Sequence, residues 1–567
     1  MSLRGPALNP PRVPTIARAL QEAARTAQGL YLVDARGHDT FLPFAELDDD
    51  ARRVAAALAG RGVRRDDRVA LSMPTSRDFL AVFFGAQYAG AVPVPVAPPS
   101  HLSKSDERLR TIGNMLRSVQ ARVLVTQPSL LDMLTEAALA EPGCRCMLAS
   151  DLTRGTDRLL LQPEADTIGV IQFSSGSTSD PKPVALLHRN LVAQVSALEQ
   201  LMGVGGHGVS WLPMYHDMGL IGALLSAIYQ AGPLALMTPE AFLTRPVQWL
   251  RAISRHKATV SPAPNFAFRQ CLLRVRDADL DGLDLSSWRI ALCGGEAVSP
   301  VVMQQFTERF AGVGFNPVAF RPAYGLAESS LAVTTTIGLP SVRLLGVDAD
   351  VLATEGRAVE PRGTARELLS VGVAAPGAEV EIRGPGRQVL PDGVVGRICT
   401  RSPSVMAGYF RNAEATAASL QDGWLDTGDL GFTQDGELFI CGRAKDVVII
   451  RGSNHSPTEF EDCLNDLEGL RSGFAVIAAG FVPPGATGEE LLLLVERGVD
   501  APDDLPRRIA NAVLDKTGIK PHTVQVVERG ELPRTTSGKL RRVEALRRYL
   551  AGELKLATER AAATTAG

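Results

Sequence analysis

The chain of 567 residues has few cysteines, no excess of either charge and no unbroken apolar span, and each shortage removes a class of protein. The seven cysteines are scattered without a paired framework, and Cys144 and Cys146 stand too close for a CxxC motif, so a reducing cytoplasm is the simplest compartment. Lys and Arg number 59 against 62 Asp and Glu, and no stripe of basic residues offers the phosphate-binding surface that nucleic acid needs. The start, MSLRGPALNPPRVPT, holds too many prolines and too little apolar length for a signal peptide. Two uncharged stretches, Phe79 to Pro99 and Met218 to Thr238, approach membrane-span length. Both break internally, the first after Tyr88 into the proline-punctuated Ala91–Val96 and the second at Gln230–Pro233. They read as buried helix-to-strand units, and no transmembrane segment is expected.

What the chain does have is length and alternation. It is too long for one hydrophobic core. Apolar runs of strand length at Val69–Met73, Arg122–Thr126, Ile168–Phe173, Leu234–Met237 and Arg289–Leu292 alternate with helix-period segments, which predicts an α/β fold with largely parallel sheets. From about Leu369 the runs shorten and turns crowd in, so a β-rich subdomain is expected over about 369–440. A compact mixed segment follows Lys445, with a basic amphipathic helix over Leu540–Leu554 and a frayed Ala/Thr tail. Gly203–Gly208 satisfies GxGxxG but precedes a strand-like run instead of opening a helix after one, so the dinucleotide reading fails.

The strongest local signal is Gln172–Val184, QFSSGSTSDPKPV, where the strand-like run gives way to Ser174, Ser175, Gly176, Ser177 and Thr178, followed by Lys182. Glycine lets backbone N–H groups approach an anion, the hydroxyls add donors and the lysine adds a full charge, so a polyphosphate is the natural guest. The spacing is not that of the Walker loop. Alone, such a run is more often a surface turn.

This run is followed in order by Tyr324-Gly-Leu-Ala-Glu328, Trp424-Leu-Asp-Thr-Gly-Asp429, Gly442-Arg-Ala-Lys-Asp446 and Leu532-Pro-Arg-Thr-Thr-Ser-Gly-Lys539. Over nearly the whole chain the series resembles the adenylate-forming superfamily of acyl-CoA synthetases, luciferases and nonribosomal-peptide adenylation domains. The resemblance implies an N-terminal adenylation domain over 1–444, built of two mostly parallel sheets with helices plus the β-rich subdomain. It also implies a small mobile α+β C-terminal domain over 445–567, hinged at Lys445. ATP and Mg²⁺ are the implied cofactors. The residues from Ser174 to Thr178, with Lys182, would hold the β and γ phosphates. Gly294, Gly295 and Glu296 would line the adenine pocket, with Tyr324 and Gly325 beside the base. Glu328 would hold Mg²⁺ on the phosphates, Asp429 would accept the ribose hydroxyls and Arg443 would lie near the ribose and α-phosphate. Lys539 would reach the substrate carboxylate and α-phosphate in the adenylation-competent orientation. Ser179 and Pro183 depart from the superfamily loop, where glycines are common.

Three further blocks, Ser210–Gly222, Ser261–Phe266 and Ile450–Pro457, resemble the fatty acyl-AMP ligases, although Ser456 stands where a tyrosine is usual. That branch makes acyl-adenylates from fatty acids and passes the acyl group to the phosphopantetheine thiol of an acyl carrier protein rather than to free coenzyme A. It also carries an insertion associated with restraining the C-terminal domain, and the long connection after Glu328 is expected to be one, over about 340–374. His216 would border the reacting carboxylate, and for His216 and Asp217 a structural hydrogen-bonding role is equally open. Two alternatives use the same scaffold: an acyl-CoA synthetase, and a non-catalytic nucleotide-binding regulator.

Overall fold

The computed structural model describes residues 2–99, 106–174, 181–203, 205–450, 453–464, 467, 470, 476–483, 488–498, 501–534 and 540–557. Its largest sheet has nine strands, with a parallel centre formed by Phe320–Gly325, Ile290–Cys293, Val260–Ala263, Gly208–Ser210, Leu234–Met237 and Gly29–Val33 in spatial order. Antiparallel strands close both ends of that run, Asp39–Pro43 at one and Ala332–Thr335 at the other. Four parallel strands, Val92–Pro95, Arg68–Leu71, Ala121–Thr126 and Arg145–Leu148, form a second sheet. The parallel sheets expected from alternation are therefore present.

Local sequence explains the element ends. The side chains of Thr15, Ser76 and Ser299 accept hydrogen bonds from the first turns of the helices Ile16–Ala23, Arg77–Tyr88 and Pro300–Phe310. Pro93 and Pro95 fall in Val92–Pro95, an edge strand, where a missing N–H is tolerated. Both stretches of near membrane-span length are buried helix-to-strand units. The first is the helix Arg77–Tyr88 followed by that edge strand. The second begins as a π-helix, Met218–Leu225, continues as the helix Ser226–Gln230, turns at Ala231 with φ +48° and ends as the strand Leu234–Met237. Among the described residues no helix is long and apolar enough to cross a membrane. Gly203 caps the helix His188–Met202 at its C-terminal end, which is the wrong place for a dinucleotide loop.

The core of the nine-stranded sheet is rich in rings, with Trp249 and Trp288 centred 5.2 Å apart and Phe268 and Phe320 4.7 Å apart, all fully buried. Six antiparallel strands form the β-rich part: Leu3–Arg4, Glu379–Arg383, Gly396–Arg401, Leu420–Gln421, Trp424–Gln434 and Glu437–Arg443. Within the long connection after Glu328, Leu344–Asp348 pairs antiparallel with Ala365–Leu369 and a short helix, Ala349–Glu355, lies between them. Residues from Val448 onward build two apolar clusters of their own, around Leu493 and around Leu494, whose side chains fall on opposite faces of one strand. The expected helix over Leu540–Leu554 is shorter, Arg542–Leu550.

His188 opens the helix His188–Met202 while almost wholly buried, and its Nδ1 has no hydrogen-bond partner among the described residues. Burial pushes its pKa down to about 4 from 6.5. Between these pH values the unfolded chain binds a proton that the folded chain refuses, so stability falls as pH drops from 6.5 and levels off below 4. The full loss is about 3 kcal/mol. Urea unfolding of the His188→Gln variant at pH 7.5 and 4.5 should show a smaller difference between the two pH values than the parent protein does; equal differences would contradict this.

Candidate active site

In open α/β sheets, ligand sites form beyond the carboxyl ends of the parallel strands, and the predicted residues gather there. Gly208–Ser210 leads to His216, Ile290–Cys293 to Gly294-Gly295-Glu296, and Phe320–Gly325 carries Tyr324 and Gly325 and leads to Glu328. Close approach explains two of the glycines. A Cβ on Gly294 would lie 2.8 Å from the Ala323 carbonyl oxygen, and one on Gly325 would lie 1.9 Å from that of Leu331.

Asp429 links the nine-stranded sheet to the β-rich part. The antiparallel register of Trp424–Gln434 against Glu437–Arg443 sets Asp429 opposite Arg443, and the guanidinium Nε lies 3.2 Å from the carboxylate. From the other side the Tyr324 hydroxyl donates to Asp429 at 2.7 Å. The carboxylate is buried and the guanidinium half-exposed. Burial, and then the adjacent Asp429 charge, push the Tyr324 hydroxyl well above its ordinary pKa, so it remains a donor.

Glu328 sits in the turn Ala327–Ser329 and accepts a hydrogen bond from the Tyr409 hydroxyl at 2.9 Å. Burial raises its pKa, with Asp217 adding to the rise and Tyr409 and Arg443 opposing it. Such a carboxylate gains by meeting a cation. Lys182 Nζ lies 4.7 Å from the centre of the Tyr409 ring. The strands Ile168–Phe173 and Pro183–Leu187 pair antiparallel, and reciprocal contacts between Ser174 and Lys182 close the loop between them. Ser175, Gly176, Ser177 and Thr178 lie outside the described residues. Phe410 N donates to the Pro183 carbonyl at 2.7 Å. Residues that face each other this way exchange both hydrogen bonds, so the N–H that Pro183 lacks would have faced Phe410, not the loop interior.

His216 Nδ1 lies 2.7 Å from Asp217 Oδ1 and 3.3 Å from Met218 N, at the entrance to the π-helix Met218–Leu225. Glu296 accepts a hydrogen bond from Phe266 N at 2.7 Å, in the first turn of the helix Asn265–Arg274. Its carboxylate therefore bridges two strand-end loops. Lys539 lies outside the described residues. On either side of it Arg534 and Leu540 pair with each other, and the fully buried Glu496 accepts from Gly530 N and Leu532 N at 3.2 Å and pairs with Arg534 at 3.4 Å.

One cleft of about 1230 Å³ is lined by Ser174, Lys182, His216, Gly294, Gly295, Glu296, Tyr324, Gly325, Glu328, Asp429, Arg443 and Lys445. Every predicted site residue that is described thus opens onto the same space. Arg534, Leu540 and Arg542, which flank Lys539, line it too. Leu198, Leu201, Met218, Leu331 and Ile337 add an apolar lining to it. Motif reading missed Tyr409, which touches both Glu328 and Lys182, because a Gly-Tyr pair carries no sequence signal of its own. It also missed Asp446, buried beside Arg542 with Oδ1 unpaired among the described residues. Burial pushes the Asp446 carboxyl above its usual range.

The described residues of the adenylate-forming motif series thus share one cleft at the ends of parallel strands, and comparison with known proteins shows the same class. The model of the AMP-binding enzyme family matches residues 20–410. A Caulobacter vibrioides protein that carries the provisional name acyl-CoA synthetase is 39% identical over 555 residues, 95% of this chain and 96% of its own. The medium-chain-fatty-acid–[acyl-carrier-protein] ligase JamA of Moorena producens is 33% identical, with 95% of this chain and 94% of that protein covered. A solved chain from structural and functional work on fatty acyl-adenylate ligases of E. coli and L. pneumophila superposes with a TM-score of 0.90 at 33% identity, covering 95% of this chain and 98% of that one. The chain belongs to the AMP-binding enzyme family and is an AMP-forming ligase.

Removing Asp429 would leave Arg443 and the half-buried Tyr324 hydroxyl without their shared acceptor. Asp429→Ala should weaken ATP binding at least tenfold by calorimetry, in line with the ~1.5–3 kcal/mol of a hydrogen bond to a charged group. Unchanged affinity would remove Asp429 from the nucleotide site.

Proposed function

We propose that the protein activates a fatty acid with Mg·ATP to acyl-AMP and then passes the acyl group to the phosphopantetheine thiol of an acyl carrier protein. The observation that carries this reading is one cleft lined by the Tyr324–Asp429–Arg443 cluster, Glu328, Lys182 and His216 together with apolar side chains such as Leu198, Met218 and Ile337. The polar lining suits a nucleotide and the apolar lining an alkyl chain. In the first step a carboxylate oxygen forms a bond to the α-phosphorus while the bond to pyrophosphate breaks. In the second, the thiol sulfur bonds to the acyl carbon and AMP leaves.

Asp429 would accept the ribose hydroxyls, Tyr324 would lie against the base and Arg443 near the α-phosphate. Ser174 to Thr178 and Lys182 would hold the outer phosphates. Glu328 fits Mg²⁺, a hard cation that needs only one or two carboxylates when phosphates supply other ligands. Among the described residues no cluster of three or more His, Cys, Asp and Glu offers a separate metal cage. Bound there, Mg²⁺ would neutralise phosphate charge. Lys539 would offset the charge that gathers as one anion attacks another. Lys539→Ala should cut acyl-AMP formation about a hundredfold while ATP binding persists, and a loss under threefold would contradict the role.

Acceptor choice is read from the insertion. Arg366, on its strand Ala365–Leu369, lies 3.6 Å from Glu459 beyond the hinge and donates to the Cys441 carbonyl before it. Glu459 also meets His455 at 3.3 Å. Both partners of the ion pair are largely buried, so the contact resists rotation of the part beyond Lys445. The name carried by the Caulobacter relative favours the alternative acceptor, free coenzyme A. Competition between holo carrier protein and excess coenzyme A separates the two, and the carrier protein should win. Arg366→Ala should raise acyl-CoA formation about tenfold, a bias of ~1.4 kcal/mol, with adenylation unchanged. Efficient acyl-CoA synthesis by the unaltered protein would overturn the carrier-protein reading.

A further inference from the structure

We propose that Tyr409 is a positioning residue of the adenylation site, its hydroxyl fixing the Glu328 carboxylate and its ring holding the Lys182 ammonium, so that one side chain sets the metal-side anion against the phosphate-side cation. The inference rests on the reading of Glu328 and Lys182 given above.

The backbone places Tyr409 where it can do this. Met406 N donates to the Glu328 carbonyl at 2.8 Å, and Ser330 Oγ donates to the Ser404 carbonyl at 2.6 Å, which ties this segment to the Glu328 turn. Three residues later the same segment joins the lysine strand. Tyr409 pairs with Val184 and Gly408 with Ala185, and Phe410 N donates to the Pro183 carbonyl, one residue from Lys182. The side chain between these two seams is buried, with its hydroxyl 2.9 Å from Glu328 Oε1 and its ring 4.7 Å from Lys182 Nζ. Filling space would need only the ring.

Each contact restrains a group that is otherwise loose. The terminal torsion of a glutamate has a broad, nearly two-fold profile, so a donor on Oε1 sets where Oε2 points. A lysine is a point charge on a flexible four-carbon stem, and an aromatic face confines it by attraction to the ring quadrupole. The Tyr409 hydroxyl is the donor in this pair, since an ionised carboxylate only accepts. The two restraints are chemically separable. Phenylalanine keeps the ring and loses the donor, and leucine loses both.

The test uses the full chain with an α,β-methylene analogue of ATP, reading Mn²⁺ binding by electron paramagnetic resonance alongside the Mg²⁺ dependence of acyl-AMP formation. Tyr409→Phe should raise the half-saturating Mn²⁺ concentration about tenfold and leave affinity for the metal-free analogue unchanged. Tyr409→Leu should weaken the analogue as well. In a Glu328→Gln background, Tyr409→Phe should add nothing, because its effect passes through that carboxylate. Wild-type Mn²⁺ saturation in Tyr409→Phe, with Glu328→Gln impaired, would overturn the role of Tyr409 and leave the metal reading of Glu328 intact. Wild-type saturation in Glu328→Gln would overturn both. The phenylalanine variant preserves packing, so it decides the carboxylate arm even if the leucine variant does not fold; Tyr409→Met, nearer to tyrosine in length but without a ring face, then decides the lysine arm, and an unchanged affinity for the analogue there would overturn it.

Discussion

The site depends on a buried carboxylate that three segments share. Asp429 comes from the β-rich sheet, its partner Arg443 from the strand paired with it, and Tyr324 from the end of a parallel strand 105 residues earlier. A buried anion is costly unless it is paired and hydrogen-bonded, and here the guanidinium and the phenol supply both. Satisfying that one charge ties the β-rich sheet to the parallel sheet, alongside an apolar cluster that joins Val333 to Val380, Ile382 and Ile398. The floor of the cleft then follows: Gly294 and Gly325 let the strand ends close up beneath it, and Glu328 enters from the next turn.

The same logic of shared buried charge extends past Lys445. Arg542 pairs with Glu461 at 2.8 Å and approaches Asp446 at 3.7 Å, while Glu496 gathers the backbone of residues 530–532 and Arg534. Through these contacts the carboxylates of the last part of the chain set the flanks of the Lys539 stretch before any substrate arrives. The Arg366–Glu459 contact then joins this part to the strand Ala365–Leu369 of the long connection after Glu328. A cleft whose two sides are held by separate charged knots can change one side without dissolving the other. Two half-reactions in one cleft would need that property.

Much of the fold was legible because its signals are periodic and local. Strand-length apolar runs such as Leu234–Met237 match the structure to the residue, and the proline-rich run after Tyr88 falls on an edge strand, where prolines are accepted. The motif residues were legible in order, since strand-to-loop transitions at Cys293 and Gly325 carry their own glycines. Contacts between distant segments were not. Neither the π-helical winding of Met218–Leu225 nor the capping of the 265–274 helix by Glu296 has a local code, since both arise from packing. Tyr409 was invisible for the same reason, because its meaning comes from Glu328, 81 residues away.

A cleft that joins a fatty acid to AMP leaves a product that can be weighed. Mass spectrometry of the purified protein incubated with Mg·ATP and a series of fatty acids of increasing length reads that product directly. Accumulation of an acyl-AMP with at least one chain length, with stoichiometric pyrophosphate, is the predicted result. Tight ATP binding by calorimetry with no adenylate from any fatty acid would contradict the account and point to a nucleotide-binding regulator on the same scaffold.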